Sequence, residues 1–161
     1  MDIKTKTERQ TKEMVKETVF KERAQKVLAS MKENGMDQLI VSDPASINYL
    51  MGRLMNPGER LMVLVFDAAA GKTELVISKL YPQGDNPIWP VTYVDDVDDC
   101  VAILSEKIAE TGVIGIDKNW AAKFLLRLNL ANLINDVRTI LVGQIWTKFH
   151  KTIPQENLAT A

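Results

Sequence analysis

The sequence predicts an α/β domain, a mixed sheet with helices on both faces, and three observations predict it. Helix-like and strand-like segments alternate along the chain, which places parallel strands under crossover helices. Two consecutive apolar runs, Leu61 to Phe66 and Glu74 to Ser78, are joined by a short glycine-containing link and so add an antiparallel hairpin. A length of 161 residues fits one ordinary core and leaves no room for a second large domain.

The first element is a long amphipathic helix from about Thr7 to Asn34. It contains neither Gly nor Pro, and Phe20, Ala24, Val27, Leu28 and Met31 fall on one face. Residues 1–26 carry eight basic and five acidic side chains, but opposite signs sit at helical spacings, as in Glu8 with Lys12 and Glu17 with Lys21. That pattern describes a solvated helix face rather than a nucleic-acid arm. Asn34 and Gly35 end the helix, because both accept the left-handed conformation found at helix C-termini.

A strand over Asp37 to Ser42 follows. Ser42-Asp43-Pro44 then supplies a cap and a proline for the first turn of a short helix, Ala45 to Met51, closed by Gly52. Pro57-Gly58 suits the centre of a type II turn, which leaves Glu59 and Arg60 projecting. After the hairpin, Tyr81 to Pro90 holds three prolines and a glycine and is a loop; Val91 to Val94 resumes a strand. Val97, Val101, Leu104 and Ile108 define a second amphipathic helix over Asp98 to Glu110, and Val113 to Ile116 a further strand. Asp117 is placed to cap a third helix from about Lys118 to Leu130, with Trp120, Phe124 and Leu128 on one face. Val137 to Val142 reads as a last strand, and the polar, aperiodic stretch from Thr152 to Ala161 as a frayed tail.

Several functions are poorly supplied. The net charge of −1 gives no field for nucleic acid or anionic lipid, and no apolar run is long enough to span a membrane. The N-terminus lacks the apolar core of a secretory signal and Cys100 has no cysteine partner, so a cytoplasmic protein is expected. Neither glycine-rich phosphate motif occurs; Gly71-Lys72-Thr73 lacks the upstream glycine and sits in the hairpin turn. His150, the only histidine, lies near the tail with no serine nucleophile turn, and with Cys100 it makes no zinc-ligand spacing. The acidic cluster Asp95, Asp96, Asp98 and Asp99 stands at a strand-to-helix junction, where carboxylates cap amides; it lacks the alternating ligands of a calcium loop. Trp89 and Tyr49 are expected to be packing residues rather than ligand platforms.

Three segments carry a resemblance: Gly35-Met36-Asp37-Gln38-Leu39-Ile40-Val41, then Asp43-Pro44-Ala45-Ser46-Ile47-Asn48-Tyr49-Leu50-Met51-Gly52, then Asn56-Pro57-Gly58-Glu59-Arg60. In this order they resemble the N-terminal domain of the creatinase/prolidase family, in which a basic helix leads into a "G-hydrophobic-D" strand, an "INYLTG" turn and a "PGER" loop. Ile114-Gly115-Ile116-Asp117 is similar to the family's last strand and helix start, and the likeness covers about Lys21 to Leu128. It implies a three-layer fold of ribonuclease H-like motif. Residues 1–20 would then be an N-terminal helical extension, 21–145 the family domain and 146–161 an irregular tail.

The resemblance also implies a partner domain. Family members join this domain to a catalytic domain that holds two divalent ions, manganese, cobalt or zinc, through Asp, His and Glu and hydrolyses Xaa-Pro peptides. With a single histidine this chain is expected to lack that domain, to bind no cofactor itself and to have no catalytic activity. It is expected to act in a homo-oligomer, a dimer above all, or with a full-length family member. The loop from Arg53 to Arg60 matches the family loop that reaches a neighbouring subunit, which makes Arg53, Asn56, Glu59 and Arg60 candidate residues of a substrate entrance; solvated loop charge is the alternative. Val137 to Ala161 departs from the family's continuation. The leading expectation is therefore an assembly and entrance-shaping domain of an Xaa-Pro peptidase. A free-standing pseudoenzyme or binding module that modulates a full-length relative is the second, and a small enzyme with an unrecognised carboxylate site the third.

Overall fold

The computed structural model describes the backbone of residues 3–109, 111–117 and 120–130, and the side chains of residues 16–109, 111–117 and 120–128. Among the described residues nine elements follow in order: α1 (Ile3–Glu33), β1 (Gln38–Val41), α2 (Pro44–Met51), β2 (Met62–Asp67), β3 (Lys72–Ser78), β4 (Val91–Val94), α3 (Cys100–Ser105), β5 (Ile114–Ile116) and α4 (Ala122–Leu130). The five strands lie in the order β4-β3-β2-β1-β5. The hairpin β2–β3 and the pair β1–β2 are antiparallel, whereas β1–β5 and β3–β4 are parallel. This is the mixed sheet that the alternation of elements predicts.

Both faces of the sheet are covered because both faces of its strands are apolar. In β2, Met62, Leu64 and Phe66 point to one side and Val63 and Val65 to the other, as a two-residue side-chain period requires. The first side packs against Ala24, Val27, Leu28 and Met31 of α1 and Ile47 and Leu50 of α2. The second packs against Val101 and Leu104 of α3 and Phe124 and Leu128 of α4. Phe66, Ile47, Leu50, Leu64, Leu104 and Leu128 are all fully buried, and truncation of such a side chain to alanine costs about 2–5 kcal/mol.

The helix termini differ from the sequence expectations in instructive ways. Helix α1 starts at Ile3 rather than Thr7 and runs unbroken across positions 20 and 21. Helix α2 has the predicted cap: Asp43 Oδ2 accepts from Ser46 N at 2.9 Å, Pro44 occupies the first turn, and Gly52 closes the helix at φ 72°. Helix α3 is shorter than Asp98 to Glu110: Asp99 caps Val101 N and Ala102 N, so the helix starts at Cys100, and it ends at Ser105. Beyond Ser105 the chain leaves the helix for turns, and Gln38 Oε1 accepts from Ala109 N at 2.7 Å. Helix α4 begins at Ala122, not Lys118. The expected strand Val137 to Val142, the tail and His150 lie outside the described residues.

Candidate functional site

Strand directions gather the connections at one end of the sheet. The carboxyl ends of β1, β3, β4 and β5 and the amino end of β2 share that end, as the pairing registers require. In open α/β sheets this is the end where ligands bind. Here it carries the turn Ser42-Asp43, the loop from Gly52 to Leu61, the loop after β3, the acidic turn after β4 and Asp117 after β5.

Asp117 departs from its predicted role. Its side chain, only 8% exposed, caps no helix; Oδ2 accepts from Ser42 N at 2.5 Å and Asp43 N at 2.6 Å, and Oδ1 accepts from Ser42 Oγ at 2.7 Å. One carboxylate thereby ties the end of β5 to the turn that starts α2. Helix α4 starts at Ala122, four residues past the expected Lys118, and Trp120 reaches Phe124 from outside the helix with ring centroids 6.2 Å apart.

The four candidate entrance residues do not form one cluster. Arg53 turns toward the loop after β3, where Nη1 donates to Gln83 Oε1 at 3.1 Å and Pro82 O at 3.3 Å. Asn56 organises its own turn: Oδ1 accepts from Gly58 N at 3.2 Å, and its carbonyl accepts from Tyr81 Oη at 2.8 Å. Arg60 N donates to Pro57 O at 3.1 Å, so the turn encloses Gly58-Glu59 and not Pro57-Gly58. The Tyr81 hydroxyl occupies the Asn56 carbonyl that a turn centred on Pro57-Gly58 would use, and Gly58 takes the positive φ of 61° that the shifted turn needs. Glu59 carbonyl accepts from Lys123 Nζ at 2.9 Å, and Arg60 forks onto Asp96 with both bonds at 2.9 Å.

Two clefts result. A cavity of about 250 Å³ is lined by Glu59, Arg60, Asp95, Asp96, Lys123 and Arg127 over Leu61, Val94 and Phe124, on the α3/α4 side of the sheet. A second of about 180 Å³ is lined by Arg53, Gln83 and Asn86 with Met51, Leu75, Ile88 and Trp89, on the α1/α2 side. The loop that sequence reasoning treated as one site thus serves both faces.

The acidic turn is a hub of charge pairing. Asp95 pairs with Lys79 at 3.1 Å, Asp96 with Arg60 and Asp99 with Arg127 at 2.7 Å, while Asp98 Oδ2 accepts from Asp95 N at 2.8 Å. The Lys79 hydrogen bond holds the Asp95 carboxyl below its ordinary pKa, and that of Arg60 does the same for Asp96. The Ala102 amide is the leading cause at Asp99. Among the described residues, no three His, Cys, Asp or Glu side chains converge as metal ligands. Every carboxylate of the turn already holds a cation or an amide.

The fold defines the class of protein: an α/β domain with a five-stranded mixed sheet of order β4-β3-β2-β1-β5. The sequence model of the creatinase/prolidase N-terminal domain matches residues 23–143, and the chain belongs to that family. Solved structures share the fold. A proline dipeptidase structure from Streptococcus pneumoniae TIGR4 is 18% identical with a TM-score of 0.71, over 81% of this chain and 98% of that one. The dipeptidase PepE from Mycobacterium ulcerans is 19% identical with a TM-score of 0.73, over 89% of this chain and 39% of that one. The creatinase/prolidase N-terminal domain of an X-Pro dipeptidase from Streptococcus pyogenes is 17% identical with a TM-score of 0.64, over 81% and 98%. This chain thus spans about two fifths of the Mycobacterium enzyme. A search of curated protein sequences found no significant match. No helix among the described residues is long and apolar enough to cross a membrane.

Proposed function

We propose that this chain is the non-catalytic N-terminal domain of an Xaa-Pro peptidase of prolidase/creatinase type, acting in an oligomer and shaping the substrate entrance of a neighbouring subunit. The observation that carries the reading is the family match across residues 23–143, together with neighbours of this fold named as proline or X-Pro dipeptidases. Catalysis in such an assembly rests on the metal-holding domain, and the part proposed for this chain is geometric.

The geometry supports that part. An entrance wall must hold its shape against solvent, and the loop from Asn56 to Arg60 is fixed by Tyr81, Lys123 and Asp96 from three separate segments. Asn56, Glu59 and Arg60 are exposed while anchored, which leaves Glu59 and the rim of the α3/α4 cleft available to a neighbour. Arg53, bonded to the loop after β3, stands apart from Glu59 and Arg60 on the α1/α2 side of the sheet.

The test is hydrolysis of Xaa-Pro dipeptides by the purified 161-residue chain with manganese or cobalt present, with its mass measured by light scattering. No turnover from a dimer or larger species is the expected result. Metal-dependent turnover, or a monomer at every concentration, would overturn the reading.

A further inference from the structure

The cleft on the α1/α2 side has the makings of a ligand site that the entrance reading does not use. Its walls are Met51, Leu75, Ile88, Trp89 and Val91, and its polar lining is limited to Arg53, Gln83 and Asn86. Small-molecule sites combine these features: an apolar body with a few placed polar groups. At about 180 Å³ it is smaller than a drug-sized site and admits only a small ligand.

Arg53 is the unusual member. The five ion pairs of the described residues do not include it, and neither does any bond to Asp85, the acid of the adjoining loop. Its two bonds both leave from Nη1, so the Nε and Nη2 donors have no partner among the described residues. That edge of a guanidinium is a fork matched to a carboxylate. Arg60 of the same chain uses the same two atoms, Nε and Nη2, to grip Asp96.

The fork is also held in place. Gln83 is 8% exposed, and its Nε2 donates to Tyr81 O at 2.6 Å and to Met55 Sδ at 3.6 Å. With the amide nitrogen so engaged, Oε1 is the atom left to face Arg53 Nη1. A buried glutamine thus orients an exposed arginine that is in no ion pair and stands at the rim of an apolar cleft. We propose that this cleft binds a small carboxylate with an apolar or aromatic body, the carboxylate on the Nε/Nη2 edge of Arg53 and the body against Ile88 and Trp89.

Benzoate is the probe, with benzamide as its neutral isostere. Nitrogen-15 spectra of the full chain report the Trp89 indole N–H, which donates to Leu50 O, and the Ile88 and Val91 amides beside the cleft. Saturable shifts of these signals with benzoate and not with benzamide are expected, and Arg53→Gln should weaken benzoate by about tenfold or more. Absence of saturable shifts, equal shifts with benzamide, or undiminished binding in R53Q would each overturn the proposal. The benzoate and benzamide comparison in the unaltered chain decides the matter whatever R53Q does to folding, and neither depends on the oligomeric state.

Discussion

Replacement of Asp117 tests the clearest structural dependence at the strand ends. Its carboxylate accepts three hydrogen bonds, two from the backbone amides of Ser42 and Asp43 through Oδ2 and one from Ser42 Oγ through Oδ1. Asp117→Ala removes all three. The two half-buried amides lose charge-assisted acceptors at about 1 kcal/mol or more each, and the Ser42 hydroxyl is free to turn to water, so the loss is about 2–3 kcal/mol. Asp117→Asn behaves differently. The amide oxygen takes the place of Oδ2 and serves both N–H groups, while its NH₂ faces Ser42 Oγ, which can accept as well as donate. Only the charge assistance is lost, about 1 kcal/mol. Urea unfolding at constant m-value reads both variants. A D117A loss under about 1 kcal/mol, or a D117N loss equal to it, would refute the reasoning.

Gly52→Ala should destabilise the chain by about 1–3 kcal/mol, since φ is 72° and a Cβ would stand 2.5 Å from Phe20 Cζ; urea unfolding of G52A with and without Phe20→Ala separates clash from backbone strain. Glu74 is partly desolvated, which raises its pKa, but the hydrogen bonds from Lys107 and Thr92 outweigh this and leave it below the ordinary 4.5. Its contribution is therefore complete above that value and lost as pH falls through the lowered one, so Glu74→Gln should flatten the decline of the urea midpoint below about pH 4.5 while lowering it at neutral pH. Arg53→Gln and Arg60→Gln, whose partners lie on opposite faces, should shift the urea midpoint additively, and Arg60→Gln alone should barely move it because its pair with Asp96 is exposed.

Elements governed by local periodicity were legible in the sequence. The helix stripe from Phe20 to Met31, the Asp43-Pro44 cap, the hairpin and the proline-rich loop all follow from neighbours within a few residues, and each stands where the pattern predicts. Misreadings came where distant partners compete for a group. Asp117 carries a cap signature in sequence, yet Ser42 and Asp43, more than seventy residues away, claim its carboxylate. The Pro57-Gly58 turn slips by one residue because Tyr81 takes the Asn56 carbonyl. No role was read for Gln38 or Gln83, since nothing local marks a glutamine for burial; one links β1 to the turn after α3 through Lys107 O and Ala109 N, the other holds Arg53.

The candidate loop was legible as a stretch of chain but not as an arrangement of side chains. Chain order names the loop from Arg53 to Arg60, and the strand directions put it at the end of the sheet that carries the carboxyl ends of β1, β3, β4 and β5. What chain order cannot supply is the face on which each side chain ends. β2 is the central strand and α2 packs on one face, so the loop that joins them passes over the strand ends, and Arg53 falls among Gln83 and Trp89 while Arg60 falls among Asp96 and Lys123. The two arginines then acquire opposite electrostatic fates: Arg60 is neutralised by its own chain, and Arg53 keeps its carboxylate-binding edge free. A wall built for a neighbour calls for the first kind of arginine, rigid and internally paired. A pocket for a small acid calls for the second, and one loop places both seven positions apart.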